Sequence, residues 1–584
     1  MIRFSRAAAG KAWRPGLTLF VAASFVLASC RPAPLQTTAA AAPADRHAPF
    51  NFTARRAMVV AAHPLAVEAG VSLLMAGGNA VDAAVATAFA LNAAEPFASG
   101  IGGGGFMVIY IAAEKRTTVI SYREKAPAAS TPGMFREKGE EAGRWRTSTG
   151  LGVAVPGAPA GWELALKKYG TRTLAAVARP AIGIAERGFD VSATFSGINN
   201  DEFEKLARNA GENTCYLNQG LPYEPGERFR NPELAATFRT LAEKGASEFY
   251  TGAIARKIVD AVRARDGVMT LEDLAAYRAV EVAPLEGTYK EYFIATAPPP
   301  ASGGLHLVEL LNIAENWPLR KWGQNSPAVL HHLSEALRFV FADRGRYLGD
   351  PDFIPIPVEG LLSKAYAASV ASRILPDRPA GAYPYGSFGP KPGDAANTTH
   401  LCVVDPAGNV VSLTQSINDF FGTGIVPEKT GFLLNDHMDD FASDPASPNA
   451  PGPGRRPVSS MGPLIMFRGG RPFLALGSPG GTRIFSSLAQ IILNLTEFGM
   501  SLDAAIEAPR FFSYSVGGAP RPVEVESRIA GATLNELRKR GQEVKVREPY
   551  DKYFGGAQGI IFLRDRKLLY GGADSRRDGW GAGY

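Results

Sequence analysis

The chain has 584 residues, 46% hydrophobic and 20% charged, the profile of a folded protein with an ample core rather than a disordered or fibrous chain. Its formal charge of +6 owes much to a leader: Arg3, Arg6, Lys11 and Arg14 stand there without a single acid, and without them 58 bases face 56 acids. A balance near +2 gives no support to a nucleic-acid partner, and neither a solenoid repeat nor a run of 18 apolar residues is present.

The leader joins a basic start to an apolar stretch from Leu17 to Leu27, then small residues, which describes a secretory signal over residues 1–29. Leu27-Ala28-Ser29-Cys30 resembles the bacterial lipobox, in which Cys30 becomes the lipidated first residue of the mature protein. An ordinary signal peptide with an incidental cysteine is the alternative. Residues 30–50, rich in Ala and Pro, read as a flexible tether. No Asp follows Cys30, so the expected place is the periplasmic side of a membrane, by analogy with lipoprotein sorting the outer one.

From Met58 onward, helical and strand-like pieces alternate. Pro64 opens a helix that closes at Gly77-Gly78-Asn79, and Ala80 to Asn92 forms an Ala-rich second helix. Phe106 to Ile111 and Thr117 to Tyr122 read as strands around a polar turn, and residues 157–316 as mainly helical. A long amphipathic helix is expected from Leu330 to Tyr347. Thr399 to Val404 and Val410 to Thr414 alternate about Asp405-Pro406-Ala407-Gly408-Asn409, a hairpin signature. Leu464 to Phe467 and Phe473 to Leu476 form another strand pair, with helices at Thr482 to Phe498 and Leu534 to Arg540. Strands covered by helices imply a layered α/β architecture.

The most telling junction is Asn397-Thr398-Thr399-His400, where a Pro/Gly-rich run ends at the start of a buried strand. A threonine hydroxyl is a poor nucleophile unless a base sits beside it, and its own α-amine serves once the preceding peptide bond is cut. On this reading the chain is a precursor that cleaves itself before Thr398. Gly100, Gly102 and Gly105 match G-x-G-x-x-G formally, but a strand follows instead of a helix, so close backbone approach and positive φ explain the glycines better than a dinucleotide does. Gly477-Ser478-Pro479-Gly480-Gly481 follows a strand and opens a helix, which fits a plain turn and an oxyanion site equally well. The seven histidines show no metal-ligand spacing and no G-x-S-x-G elbow is present, so neither a metal, a cofactor nor a serine triad is expected. Cys215 and Cys402 make no disulfide framework, and whether they pair is left open.

Taken in order, Ser99 to Phe106, Tyr122-Arg123-Glu124-Lys125-Ala126-Pro127, Pro298 to Gly304, Ala342-Asp343-Arg344, Thr398-Thr399-His400, Met438-Asp439-Asp440-Phe441, Arg456 to Met461 and Gly477 to Gly481 resemble the γ-glutamyltransferase family of N-terminal nucleophile hydrolases. The resemblance spans Met58 to Tyr584. It implies a four-layer αββα sandwich built from interleaved large (51–397) and small (398–584) subunits of one precursor. It further implies Thr398 as nucleophile supported by Ser416, Gly480 and Gly481 as oxyanion donors, Arg123, Ser459 and Ser460 on the substrate α-carboxylate, and Asn418 and Asp440 on its α-ammonium. The implied substrate is a γ-glutamyl amide such as glutathione, its acyl group passing to water or an amino acid. Two positions depart from the family pattern. Ser416 stands in place of a second threonine, and His437 in place of an acidic or amide side chain at the α-ammonium. His437 keeps open a same-family acylase acting on a glutaryl-β-lactam or polyglutamate. A surface lipoprotein that only binds peptides is the non-enzymatic rival.

Overall fold

The computed structural model describes residues 52–211, 214–386 and 398–584. The leader, the tether, Cys30 and Asn397 lie outside the described residues. Two seven-stranded sheets form the centre. In spatial order the first holds Trp580–Gly583, Met58–Ala61, Thr399–Val404, Val410–Ser416, Gly104–Ile111, Arg116–Ser121 and Val280–Val282. The second holds Phe52–Ala54, Leu568–Ala573, Gln558–Leu563, Arg471–Gly477, Leu464–Arg468, Tyr292–Thr296 and Leu285–Tyr289.

Side-chain alternation stacks these sheets, because successive residues of a strand face opposite sides. Met58, Val60, Phe106, Val108, Cys402 and Val404 of the first sheet share one apolar cluster with Ile465, Phe467 and Ala475 of the second. Their neighbours Val59, Ala61, Met107, Ile109, Leu401 and Val403 pack outward against the helices Pro64–Met75 and Ala80–Ala94. On the far side Leu464, Met466, Leu474 and Leu476 meet the helices Ser302–Ala314, Pro327–Tyr347 and Ile484–Thr496. The result is helix, sheet, sheet, helix: the expected four-layer α/β sandwich. Both sheets combine strands from either side of residue 398, so a cut there would leave the two pieces joined by β ladders and a shared core.

Local signals account for the termini of several elements. Pro64 occupies the first turn of its helix, and Asn79 caps the next by accepting from the Val81 and Asp82 N–H groups while its own N–H donates to Asp82 Oδ2 at 2.8 Å. The helix expected from Leu330 begins at Pro327 under a Ser326 cap and is buried on almost every side rather than on one stripe. The hairpin Leu285–Tyr289/Tyr292–Thr296 lies in a region read as helical. Its five-residue strands are too short for periodicity to declare them. The glycine run also differs from expectation in cause. None of Gly100 to Gly105 has positive φ. A Cβ would instead collide with the Leu433 carbonyl at Gly102, the Ser416 carbonyl at Gly103 and the Thr414 carbonyl at Gly105. Close backbone approach alone requires those glycines. Cys215 and Cys402 are both free thiols.

Candidate active site

Thr398 is 3% exposed and directly precedes the strand Thr399–Val404. That strand pairs antiparallel with Val410–Ser416, Thr399 opposite Gln415, so the same register puts Ser416 opposite residue 398. Alternation then separates the two threonines. Thr399 turns toward the helices, where its hydroxyl donates to Glu95 Oε2 at 2.6 Å. Thr398 falls on the inter-sheet face with His400, whose ring stacks so tightly on Gly477 that a Cβ there would overlap it. Of the two hydroxyls, the one at Thr399 is committed elsewhere.

Gly477 ends the strand Arg471–Gly477, and Ser478 to Gly480 lead into a short turn, Gly481–Arg483, that opens the helix Ile484–Thr496. Gly480 and Gly481 have φ of +132° and +58°, backbone that side-chain-bearing residues rarely adopt. The two glycines therefore sit in a left-handed turn at a helix N-terminus, a few residues from the ring of His400. Backbone N–H groups in such turns bind developing negative charge.

The remaining predicted residues form one connected buried network. Arg123 follows the strand Arg116–Ser121 and is wholly buried. Its Nε donates to the Pro457 carbonyl at 3.1 Å, Nη1 to Glu124 Oε2 at 3.0 Å, and Nη2 to the Val458 carbonyl at 3.1 Å and to the Asp440 carboxylate. Ser459 and Ser460 come next in the chain. Ser459 accepts from Met461 N–H, and Ser460 Oγ from Arg344 Nη2 at 3.3 Å. Asn418, at φ +78°, donates its N–H to Ser416 Oγ at 2.7 Å and its Nδ2 to the Asp436 carbonyl at 3.2 Å. His437, next along the chain, has Nδ1 2.8 Å from Glu124 Oε1. From Ser416 the contacts run through Asn418 to Asp436, whose neighbour His437 meets Glu124, and on through Arg123 to Asp440; Arg123 also reaches the Val458 carbonyl, two residues before Ser460.

Charges in this network are set by burial. Burial pushes the Asp440 carboxyl up to about 7, against the pull of Arg123. Burial takes His437 down to about 4, although Glu124 opposes it, so the imidazole is neutral near pH 7. Burial also penalises the Glu124 anion, but His437 and Arg123 outweigh it and hold that carboxyl below its ordinary value. Among the described residues, Asp440 Oδ1, Asn418 Oδ1 and Asp436 Oδ2 are buried oxygens without a hydrogen-bond partner, while Glu124 Oε1 faces His437 Nδ1. Leaving such groups unpaired is costly, and three oxygens in one network suit a ligand rich in N–H donors. Two surface cavities, of about 820 and 630 Å³, contain none of these residues.

Glu124 and Arg344 stand within the family motifs without a role of their own there, and Asp436, Glu95 and Arg577 lie outside them. The local signal for Glu124 is its place between two bases, Arg123 and Lys125, at the end of a strand. Nothing local signals Arg577, which meets Glu95 across 482 residues of chain.

The gamma-glutamyltranspeptidase family model matches residues 66–584. The chain belongs to the gamma-glutamyltranspeptidase family. Within it, the glutathione hydrolase proenzyme of Pseudomonas sp. (strain A14) is 39% identical over 553 residues, 91% of this chain and 95% of the relative. The Acylase ACY 1 proenzyme of Pseudomonas sp. (strain V22) is 40% identical over 534 residues, covering 90% and 93%. Among solved structures, cephalosporin acylase from Bacillus halodurans superposes with a TM-score of 0.83 at 29% identity over 92% of this chain and 97% of that one. Gamma-glutamyltranspeptidase from Helicobacter pylori gives 0.52 at 38% identity, covering 54% and 91%. As a gamma-glutamyltranspeptidase family hydrolase or transferase, the chain is similar both to proteins named for glutathione and to proteins named as acylases. Family membership leaves the substrate to be argued from the site.

Proposed function

We propose that the chain is the precursor of a γ-glutamyl hydrolase and transferase that cuts itself between Asn397 and Thr398, the two pieces remaining together as a heterodimer. The freed Thr398 hydroxyl attacks the γ-carbonyl of a γ-glutamyl amide such as glutathione, and its α-amine takes the hydroxyl proton. An α-amine titrates near 8, so a useful fraction is neutral at mildly alkaline pH. The Gly480–Gly481 turn stabilises the oxyanion. The C–N bond then breaks, the leaving amine takes the proton, and a γ-glutamyl ester remains on Thr398. Water or an amino acid receives that acyl group and restores the hydroxyl. Supporting Thr398 over Thr399 is the donation of the Thr399 hydroxyl to Glu95. The leader belongs to the same proposal: export, with Cys30 as lipid anchor on the periplasmic side.

The observation that carries the substrate class is the set of three unpartnered buried oxygens at Asp440, Asn418 and Asp436. An α-ammonium supplies three donors and a positive charge to such a set, while Arg123, Ser459 and Ser460 supply donors for the α-carboxylate. A glutaryl group has no ammonium to offer. Favouring the acylase reading instead is His437, whose imidazole occupies the Glu124 oxygen nearest to it. Parallel hydrolysis of γ-glutamyl and glutaryl anilides decides between them. At least a tenfold preference for the γ-glutamyl compound is expected; equal or better use of the glutaryl compound would establish the acylase.

A further inference from the structure

Cutting the bond before residue 398 removes the covalent restraint on one side of the nucleophile, and a chain end left to itself frays. Its hydroxyl and amine must nevertheless hold a productive geometry to within about half an ångström. The structure contains a device for this that the mechanism above does not use. Arg577 Nη1 donates to the Thr398 carbonyl at 3.2 Å and to Glu95 Oε1 at 3.3 Å. The other Glu95 oxygen accepts from the Thr399 hydroxyl at 2.6 Å. The four groups close a ring around the Thr398–Thr399 peptide unit. Both ionic members are buried, with side chains 1% and 2% exposed.

Each member is itself held by structure next to the site. Glu95 ends the helix Ala80–Ala94, and the loop after it bonds to the loop carrying Asn418: Ala98 accepts from Ile417 N–H at 3.3 Å and Phe97 from Phe421 N–H at 2.8 Å. The Arg577 stem lies on Gly556, where a Cβ would come within 2.9 Å of its Cγ, and its guanidinium faces the Phe420 ring at 5.3 Å. Gly556 N–H points at Ser478 Oγ across 3.4 Å, and a Cβ at Gly555 would strike the Pro479 carbonyl. Arg577 therefore spans from the backbone beneath the Gly480–Gly481 turn to the carbonyl of Thr398.

We propose that Glu95 and Arg577 are positioning residues that clamp the peptide unit of the newly formed N-terminal threonine and fix its distance from the oxyanion turn. This rests on Thr398 being the nucleophile. Neither residue is asked to touch substrate. A small misplacement of reacting groups lowers turnover by about 10²-fold without weakening ground-state binding.

The test is steady-state kinetics with a γ-glutamyl anilide, kcat taken per processed chain, on R577M, R577K, E95Q and E95Q/R577M, with T398A beside them. R577M is expected to lose about 10²-fold in kcat with KM within about twofold, and E95Q about tenfold. R577K should recover part of the loss, because an ammonium reaches one of the two acceptors. The double variant should lose no more than R577M, since the two residues act as one unit. Failure of a variant to cut counts as the same effect, one hydroxyl serving both steps. E95Q changes a single heavy atom and keeps the test open if R577M does not fold. Full kcat in R577M and E95Q, a rise in KM alone, or multiplicative losses in the double variant would overturn the clamp. An inert T398A beside fully active clamp variants sinks the clamp only, whereas a cut and active T398A sinks the nucleophile assignment itself.

Discussion

The two ends of the candidate site are built on opposite principles. Around Thr398 the parts are backbone and neutral groups: a strand register that sets Ser416 opposite, a glycine pressed on the His400 ring, and a left-handed glycine turn. The ion pair Glu95–Arg577 is buried there, with Arg577 Nε and Nη2 left without a partner among the described residues. Around Arg123 the parts are charges, two carboxylates on one guanidinium, with several acceptor oxygens unpaired among the described residues. Chemistry common to all acyl donors needs the first kind of construction, in which geometry is fixed and independent of substrate. Recognition of one head group needs the second, where exchanging a single side chain changes the charge the pocket presents. Relatives named for glutathione and relatives named as acylases fit that division of labour.

Changes at the nucleophile end should strike every acyl donor equally, and changes at the charged end should discriminate between them. The largest effect is expected from Thr398→Ala, which should remain a single uncut band on denaturing gels after long incubation at pH 8. It should lose about 10⁴-fold or more in turnover of both γ-glutamyl and glutaryl anilides. Gly480→Ala should follow, with about 10²–10³-fold lost in kcat for both substrates. It displaces the proposed oxyanion donor, and the backbone there, at φ +132°, resists any side chain. A loss confined to one substrate would break the division.

At the charged end pH comes next. Asp440, at about 7, is mostly anionic at pH 8 and mostly neutral at pH 6, so the attraction proposed for an α-ammonium weakens over that range. His437 stays neutral across that window, while Glu124 keeps its charge. The ratio of kcat/KM for γ-glutamyl over glutaryl anilide should fall about tenfold between pH 8 and 6, one unit either side of that midpoint. Titration of the Thr398 amine affects both substrates and cancels in the ratio. A flat ratio would remove Asp440 from head-group recognition. The smallest effect is expected from His437→Gln. An amide can donate to Glu124 and accept from an ammonium, so KM for the γ-glutamyl anilide should drop about threefold to tenfold with kcat unchanged, the value of one neutral hydrogen bond.

The sequence made the nucleophile end legible because its information is local. The hairpin Thr399–Ser416 shows itself by alternation about Asp405 to Asn409, and the glycine turn by its place between strand and helix. The charged end was legible only through the resemblance, since Arg123, Asn418, Asp440 and Ser459 are brought together by tertiary packing and share no spacing. Even there, the double compensation of Arg123 and the contact of His437 with Glu124 needed coordinates. The strands Gln558–Leu563 and Leu568–Ala573 were missed because glycine-bearing segments carry little strand signal. Gly572 is small to admit the side chains of Leu502 and Ile506. The Glu95–Arg577 pair was invisible for the plainest reason: ends of the chain meet only in the fold.

Everything at the nucleophile end depends on where the polypeptide is interrupted. N-terminal sequencing of the smaller fragment from active, purified protein tests this most directly. The expected sequence begins Thr398-Thr399-His400. An active preparation whose chain runs unbroken through residues 397 and 398, or whose fragment starts at Thr399, would contradict it.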